Sequence, residues 1–143
     1  MFDSLRNTSR DRLGGALRIL VGFVFFTAGI LKIVAPSLGK AFSGQLVAAN
    51  IPLQEFVLFT FPIIEMALGF LLLVGFHARI SASIAAASMI VATYVHLVID
   101  DPSLFPLQPV EPIGPLVLLA MLIYTVIRGA GAWSIDLKES VRG

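Results

Sequence analysis

The side chains able to do chemistry in this chain stand where burial should keep charge out. Glu65 lies inside the run FPIIEMALGFLLLVGF (61–76), which is otherwise fit only for lipid or a packed apolar interior. At the centre of a bilayer an acidic side chain costs roughly 2.5–3.5 kcal/mol, so such residues turn inward, find a partner and often mark a pathway or binding site. Arg18 and Lys32 are set in the first apolar run, His96 and Tyr94 near the end of the third, and Tyr124 with Arg128 near the end of the fourth.

Residues three and four apart share one face of a helix. Arg18, Gly22, Phe25, Gly29 and Lys32 form one such stripe, and Glu55, Leu58, Pro62, Glu65, Gly69 and Leu72 form another. Stripes mixing charge with glycine are expected of a packed seam rather than a lipid-facing surface. Counting inward from Pro52 puts Glu65 level with Val21 or Gly22, within about one turn of Arg18. Arg18 and Glu65 are therefore expected to pair in the half of the bundle nearer the termini. The pair would serve either function or helix register, and a protonated, neutral Glu65 is a further alternative.

A second group is expected near the opposite surface: Lys32, His96, Glu55 and the slightly deeper Tyr94. Individually, Lys32 can snorkel to headgroups and His96 can be a satisfied interfacial histidine. Together they suit a ligand with a carbonyl or acidic head and an apolar body, such as a quinone, because both donate hydrogen bonds and His96 exchanges a proton near neutral pH. Tyr124 and Arg128 share a face and read first as headgroup anchors, and second as a contribution to the Glu65 region.

Other chemistry is excluded by what is missing or misplaced. The sequence has 0 cysteines, which removes disulfides, iron–sulfur ligation, thiolate metal sites and dithiol relays from this chain. His77 and His96 stand about 28 Å apart along a helix axis, too far to clamp one haem. Gly129 and Gly131 follow an apolar helix rather than a strand, so they imply no dinucleotide loop. No serine, histidine and acid form a defensible triad, and no basic stripe with interleaved aromatics points to nucleic acid. No metal site and no cofactor of the chain's own is expected, a quinone excepted.

These residues must be positioned by helices in lipid. The chain is 57% hydrophobic and 13% charged, against about 45–50% and 25% in soluble proteins. It reads as one all-α membrane domain, a transmembrane four-helix bundle. Spans are expected at about 13–34, 52–76, 80–99 and 114–127, each set against the roughly 20 residues a bilayer core requires. Pro36 closes the first. The stretch SLGKAFSGQLVAAN (37–50) predicts a short interfacial helix capped at Ser37, with Leu38, Ala41, Phe42 and Leu46 on its apolar side. Pro62 is expected to bend the second span. The run SASIAAAS permits close helix approach in the third. The loop after Ile99 carries prolines 102, 106, 109, 112 and 115 and is expected to be extended and stiff. The polar first dozen residues read as an arm rather than a cleaved signal, and the tail from Gly129 is expected to leave the bilayer.

Four spans put both termini on one face. That face holds Arg6, Arg10, Arg12, Arg18, Arg79, Arg128, Lys138 and Arg142, against Lys32 and Lys40 opposite. The asymmetry predicts cytoplasmic N- and C-termini, so the Asn7-Thr8-Ser9 triplet is not expected to be glycosylated.

The strings RILVGFVFFTAGILK (18–32), NIP (50–52), EMALGFLLLVGFHAR (65–79) and GAGAWSID (129–136) occur in this order and spacing. On them the chain resembles the DoxX family of small four-span membrane proteins, from about Arg18 to Asp136. The family's exit box often has proline after its first glycine, where Ala130 stands here. The resemblance implies a four-helix bundle in a prokaryotic inner membrane and a role beside oxidoreductases, including thiosulfate:quinone oxidoreductase and membrane redox and detoxification complexes. It supplies no agreed catalytic residues, and a function drawn from it is an analogy of fold.

Three readings follow. The first is a membrane subunit that docks an oxidoreductase of a respiratory-type complex and offers a quinone or other lipophilic ligand a site; its contacts are lipid and protein, not nucleic acid. On this reading the chain is not catalytic alone. The second is a small proton or organic-anion transporter lined by Glu65, Arg18 and Lys32. The third is a purely structural assembly subunit.

Overall fold

Long apolar runs broken by proline and glycine fold here into helices that pack as a membrane bundle. The computed structural model describes residue 8 and residues 10–140. Most of the predicted N-terminal arm, with Arg6, and Arg142 lie outside the described residues. The elements are α1 Arg12–Val34, α2 Pro36–Ala48, α3 Gln54–Val74, α4 Ala78–Val98, a 3-10 turn at Pro102–Leu104, α5 Ile113–Arg128 and α6 Ile135–Ser140. Helices α1, α3 and α4 are long and apolar enough to cross a membrane. Helix α5 is apolar but has 16 residues, about 24 Å at 1.5 Å per residue, short of a hydrocarbon core of about 30 Å.

The tightest packing is the seam between α1 and α3. A Cβ added to Gly69 would stand 2.4 Å from the Phe26 nitrogen, and one on Gly22 would stand 2.8 Å from the Leu73 nitrogen. Only glycine lets two backbones approach this closely, and dispersion over such an interface is what holds helices together where lipid is as apolar as leucine. Both predicted stripes are buried through most of their length: Arg18, Gly22, Phe25 and Gly29 on α1, and Pro62, Glu65, Gly69 and Leu72 on α3. Leu58 and Glu55 are exposed. Helix α4 packs chiefly on α5, with Ala82, Ala85 and Met89 joining Leu122, Leu72 and Val21 in the main apolar core.

The seam also fixes register. Gly22 meets Leu72 and Leu73, and Gly29 meets Pro62 and Met66. Glu65 is therefore level with Ile30, and Arg18 lies roughly 18 Å further toward the termini at 1.5 Å per residue. The expected Arg18–Glu65 pair is overturned by this offset. By this register the outer turns of α3 extend beyond the level of the end of α1, so counting from Pro52 misplaced the carboxylate.

Helix α2 turns Ala41, Phe42 and Leu46 onto the bundle, and Phe42 stacks on Phe61 with centroids 5.9 Å apart. Its start is set by Pro36 in the first turn after Ala35, with no side-chain cap from Ser37. The proline loop differs from the expected extended segment. Asp101 accepts a hydrogen bond from the Ser103 amide at 2.9 Å, starting the 3-10 turn, and this delivers Phe105 into a second apolar cluster with Ala49, Val95 and Ile99.

Candidate functional site

Two polar centres occupy opposite ends of the bundle. At the end bearing the described termini, Arg18 is 0% exposed, and all five of its N–H donors are committed to main-chain carbonyls. Its Nε donates to Ala130 at 2.6 Å. One terminal nitrogen donates to Leu72 and to Leu73, the latter at 2.9 Å, and the other to Ala132 and Trp133, each at 3.1 Å. The planar fork of an arginine suits this task, since five fixed donors meet five acceptors.

The carbonyls of Leu72 and Leu73 belong to the last turn of α3, where i+4 helical donors run out, though Leu72 also accepts from the Gly75 amide at 3.2 Å. The others come from the exit box GAGAWSID, which folds back beneath the bundle instead of leaving it. From the same box Asp136, 1% exposed, accepts the His77 and Ala78 amides at 3.0 and 2.9 Å. It thus caps α4, where a carboxylate is favoured by both orphan amides and the helix dipole, and its charge also acts on Arg18. Sequence reasoning missed this role of Asp136; its one signal was the exit box.

Tyr124 belongs to the same end. Its hydroxyl donates to Asp11 at 2.8 Å, and Arg128 stands 3.8 Å from the same oxygen. It makes no contribution to the Glu65 region. The Tyr124 hydrogen bond, aided by the Gly14 amide and opposed by desolvation, holds the Asp11 carboxyl below its ordinary range.

At the far end the arrangement is open. Lys32 donates to Glu65 at 2.5 Å. The Lys32 side chain is 21% exposed and that of Glu65 5%. The ammonium also lies 5.2 and 5.7 Å from the ring centroids of Phe42 and Phe61, within the range of cation–π attraction. Among the described residues this is the one hydrogen bond of either charged group, so Lys32 keeps two donors and Glu65 keeps acceptor capacity.

The pair faces a cleft of about 650 Å³ between the α1–α3 and α4–α5 pairs, lined also by α2, Pro106, Leu107 and Gln108. Its volume is that of a small-molecule site, and its walls are apolar apart from a few polar groups. His96 lines the same cleft and is 6% exposed. Its Nδ1 is 2.7 Å from the Val110 carbonyl, and its ring lies 4.2 Å from that of Phe105. Gln45 donates to the Leu104 carbonyl at 2.5 Å. These two bonds and Phe105 tie the proline loop to α2 and α4, where its residues Pro106, Leu107 and Gln108 form part of the cleft wall.

The structure thus pairs Lys32 with Glu65 and places His96 along the wall of the same cleft, and it adds Gln45, Phe42 and Phe61, which sequence reasoning had not singled out for chemistry. Phe42 was legible only as the apolar face of α2. Arg18 and Tyr124 belong to the other end. Tyr94 is 50% exposed and does not line the cleft, and Glu55 is exposed at the start of α3.

A family model described as DoxX matches residues 15–97, which takes in α1 to nearly the end of α4 and so all three cleft residues. No curated protein and no solved structure matches the chain.

Proposed function

We propose, from the premise that the chain belongs to the DoxX family, that the far-end cleft holds a lipophilic molecule with an oxygen-bearing head, a quinone being the leading candidate. Lipid surrounds the spans, and the bound molecule serves an oxidoreductase partner docked on the bundle. One observation carries the reading: the Lys32–Glu65 pair and His96 line a single apolar cleft of about 650 Å³. Lys32 has donors to spare for a carbonyl oxygen, Phe42 and Phe61 offer flat faces to a ring, and the apolar walls accept a tail. The chain has no cysteine, and on this reading its contribution is to bind and orient. The excess of cations near the termini supports a cytoplasmic placement of that end in a prokaryotic inner membrane.

A transmembrane path for protons or organic anions needs charges that can hand a passenger from one face to the other. Arg18, with every donor committed to carbonyls, has none to offer such a path.

The test uses the chain reconstituted in lipid nanodiscs and a photoreactive quinone analogue. Labelling concentrated on residues of the cleft, competed by unlabelled quinone and lost in Lys32→Met, is the expected result. Labelling spread over lipid-facing residues and indifferent to Lys32 overturns the ligand site. Purification from native membranes then reads the partner: a stoichiometric oxidoreductase supports docking, and its absence removes that part of the reading.

A further inference from the structure

The hydrogen-bonding state of His96 narrows what the cleft can take. Its Nδ1 lies 2.7 Å from the Val110 carbonyl oxygen. A carbonyl oxygen can only accept, so Nδ1 carries the hydrogen. In the neutral ring the other nitrogen, Nε2, is then an acceptor, and a hydrogen bond to one ring nitrogen fixes the role of the other. Among the described residues Nε2 has no hydrogen-bond partner, yet it is not among the fully sealed polar atoms, and the residue lines the cleft. The ring is clamped in this orientation by Phe105 on its face and by the Val110 bond.

Charge narrows it further. The titratable groups facing this cavity are Lys32 from α1, Glu65 from α3 and His96 from α4. Lys32 and Glu65 cancel each other at 2.5 Å, so a neutral head enters without leaving an uncompensated charge in an apolar setting, whereas an anionic one would.

Resting on the reading of the cleft as a ligand site, we propose that its occupant is a neutral amphiphile whose head carries a hydroxyl: a phenol or another ring-borne hydroxyl that donates to His96 Nε2 while an oxygen of the head accepts from Lys32 Nζ. A head with carbonyls alone satisfies Lys32 and leaves Nε2 unpaired. The site therefore favours the hydroxylated form of a redox-active ring over its fully oxidised form.

The probes are para-heptylphenol and its methyl ether, which share ring, tail and oxygen but differ in the one donor. Binding of each to the full chain in nanodiscs is measured by titration calorimetry and by competition with the photoreactive quinone analogue. Affinity roughly tenfold higher for the phenol is expected from one hydrogen bond made in place of a stranded buried acceptor, and His96→Phe should erase the difference. Equal affinity of the two probes for the wild-type chain overturns the hydroxyl requirement while leaving the cleft as a ligand site. Failure of both to compete with the analogue overturns the cleft reading itself. A preference that persists in His96→Phe assigns the acceptor to another group and overturns the role of His96. Because that variant also loses the Val110 tie, the wild type is read independently by nitrogen-15 NMR of histidine-labelled protein. The chain has 2 histidines. Movement of the His96 Nε2 resonance with the phenol but not the ether supports the proposal, and an unmoved resonance refutes it.

Discussion

The two ends of the bundle treat a buried cation in opposite ways. Around Arg18 every donor is matched, the acceptors are main-chain oxygens fixed by the fold, and the residue does not line the far-end cleft. Around Lys32 a single carboxylate provides one hydrogen bond, two rings provide weak attraction, and the remaining donors look into open space. Saturated polar networks rigidify and specify a structure. A network left incomplete beside a cavity carries binding capacity that the protein itself does not use. By that measure the termini end is architecture, and the far end is where the proposed ligand would bind.

The sharpest way to break this contrast is to remove each cation in turn. Arg18→Met should destabilise the bundle by roughly 3–5 kcal/mol, because five carbonyls and Asp136 lose a common partner at once. Unfolding in mixed detergent micelles measures it. Arg18→Lys should recover little, since three donors on a flexible stem cannot serve five fixed oxygens. If Arg18→Met unfolds like wild type, the assignment of the termini end as architecture fails.

Lys32→Met should cost less, about 1–3 kcal/mol, through the carboxylate it leaves unpaired. The double variant Lys32→Met with Glu65→Leu should return to within about 1 kcal/mol of wild type, since replacing a buried pair by apolar groups is often neutral. Ligand binding should be lost in both. A double variant as unstable as Arg18→Met would mean that the far-end pair is structural too. Asp136→Ala, which uncaps α4, should cost about 1–2 kcal/mol and leave quinone-analogue labelling of the cleft unchanged.

The smallest effect concerns Asp11. Its carboxyl is held below the usual 3.8 by the Tyr124 hydroxyl, so the folded state binds the proton less readily than the unfolded chain. The associated stability is fully present above the unfolded value and fades as pH falls through the lowered folded one. Tyr124→Phe should flatten the melting temperature between about pH 5 and 3 relative to wild type, and an identical pH profile would remove the coupling.

Hydropathy and proline made the helices legible, to within two residues at most ends, because length and apolarity in lipid leave the backbone few alternatives. The interior stripes were legible as well, since Gly22, Gly29, Gly69 and the charges recur at helical spacing. What failed was height. Glu65 was matched to Arg18 because the offset in height between the outer ends of α1 and α3 leaves no periodic trace in the sequence. The partners of Arg18 were invisible for another reason: main-chain carbonyls look alike at every residue, so a sequence shows the donor but not the turn that receives it. Phe105 and the mouth of the cleft were missed because a proline-rich loop reads as stiff, whereas a side-chain cap at Asp101 folds it inward.

Arg18 lies in the first of the described spans, and three of its five acceptors lie in the stretch from Ala130 to Trp133, which follows the last of them. During biogenesis the guanidinium must wait in the membrane, or at its edge, until the exit box has been made. A product truncated before residue 130 would carry the helices of the described bundle with Arg18 still seeking three of its five partners, a natural mark for quality-control proteolysis. The exit box thereby makes its own synthesis a condition for a settled bundle.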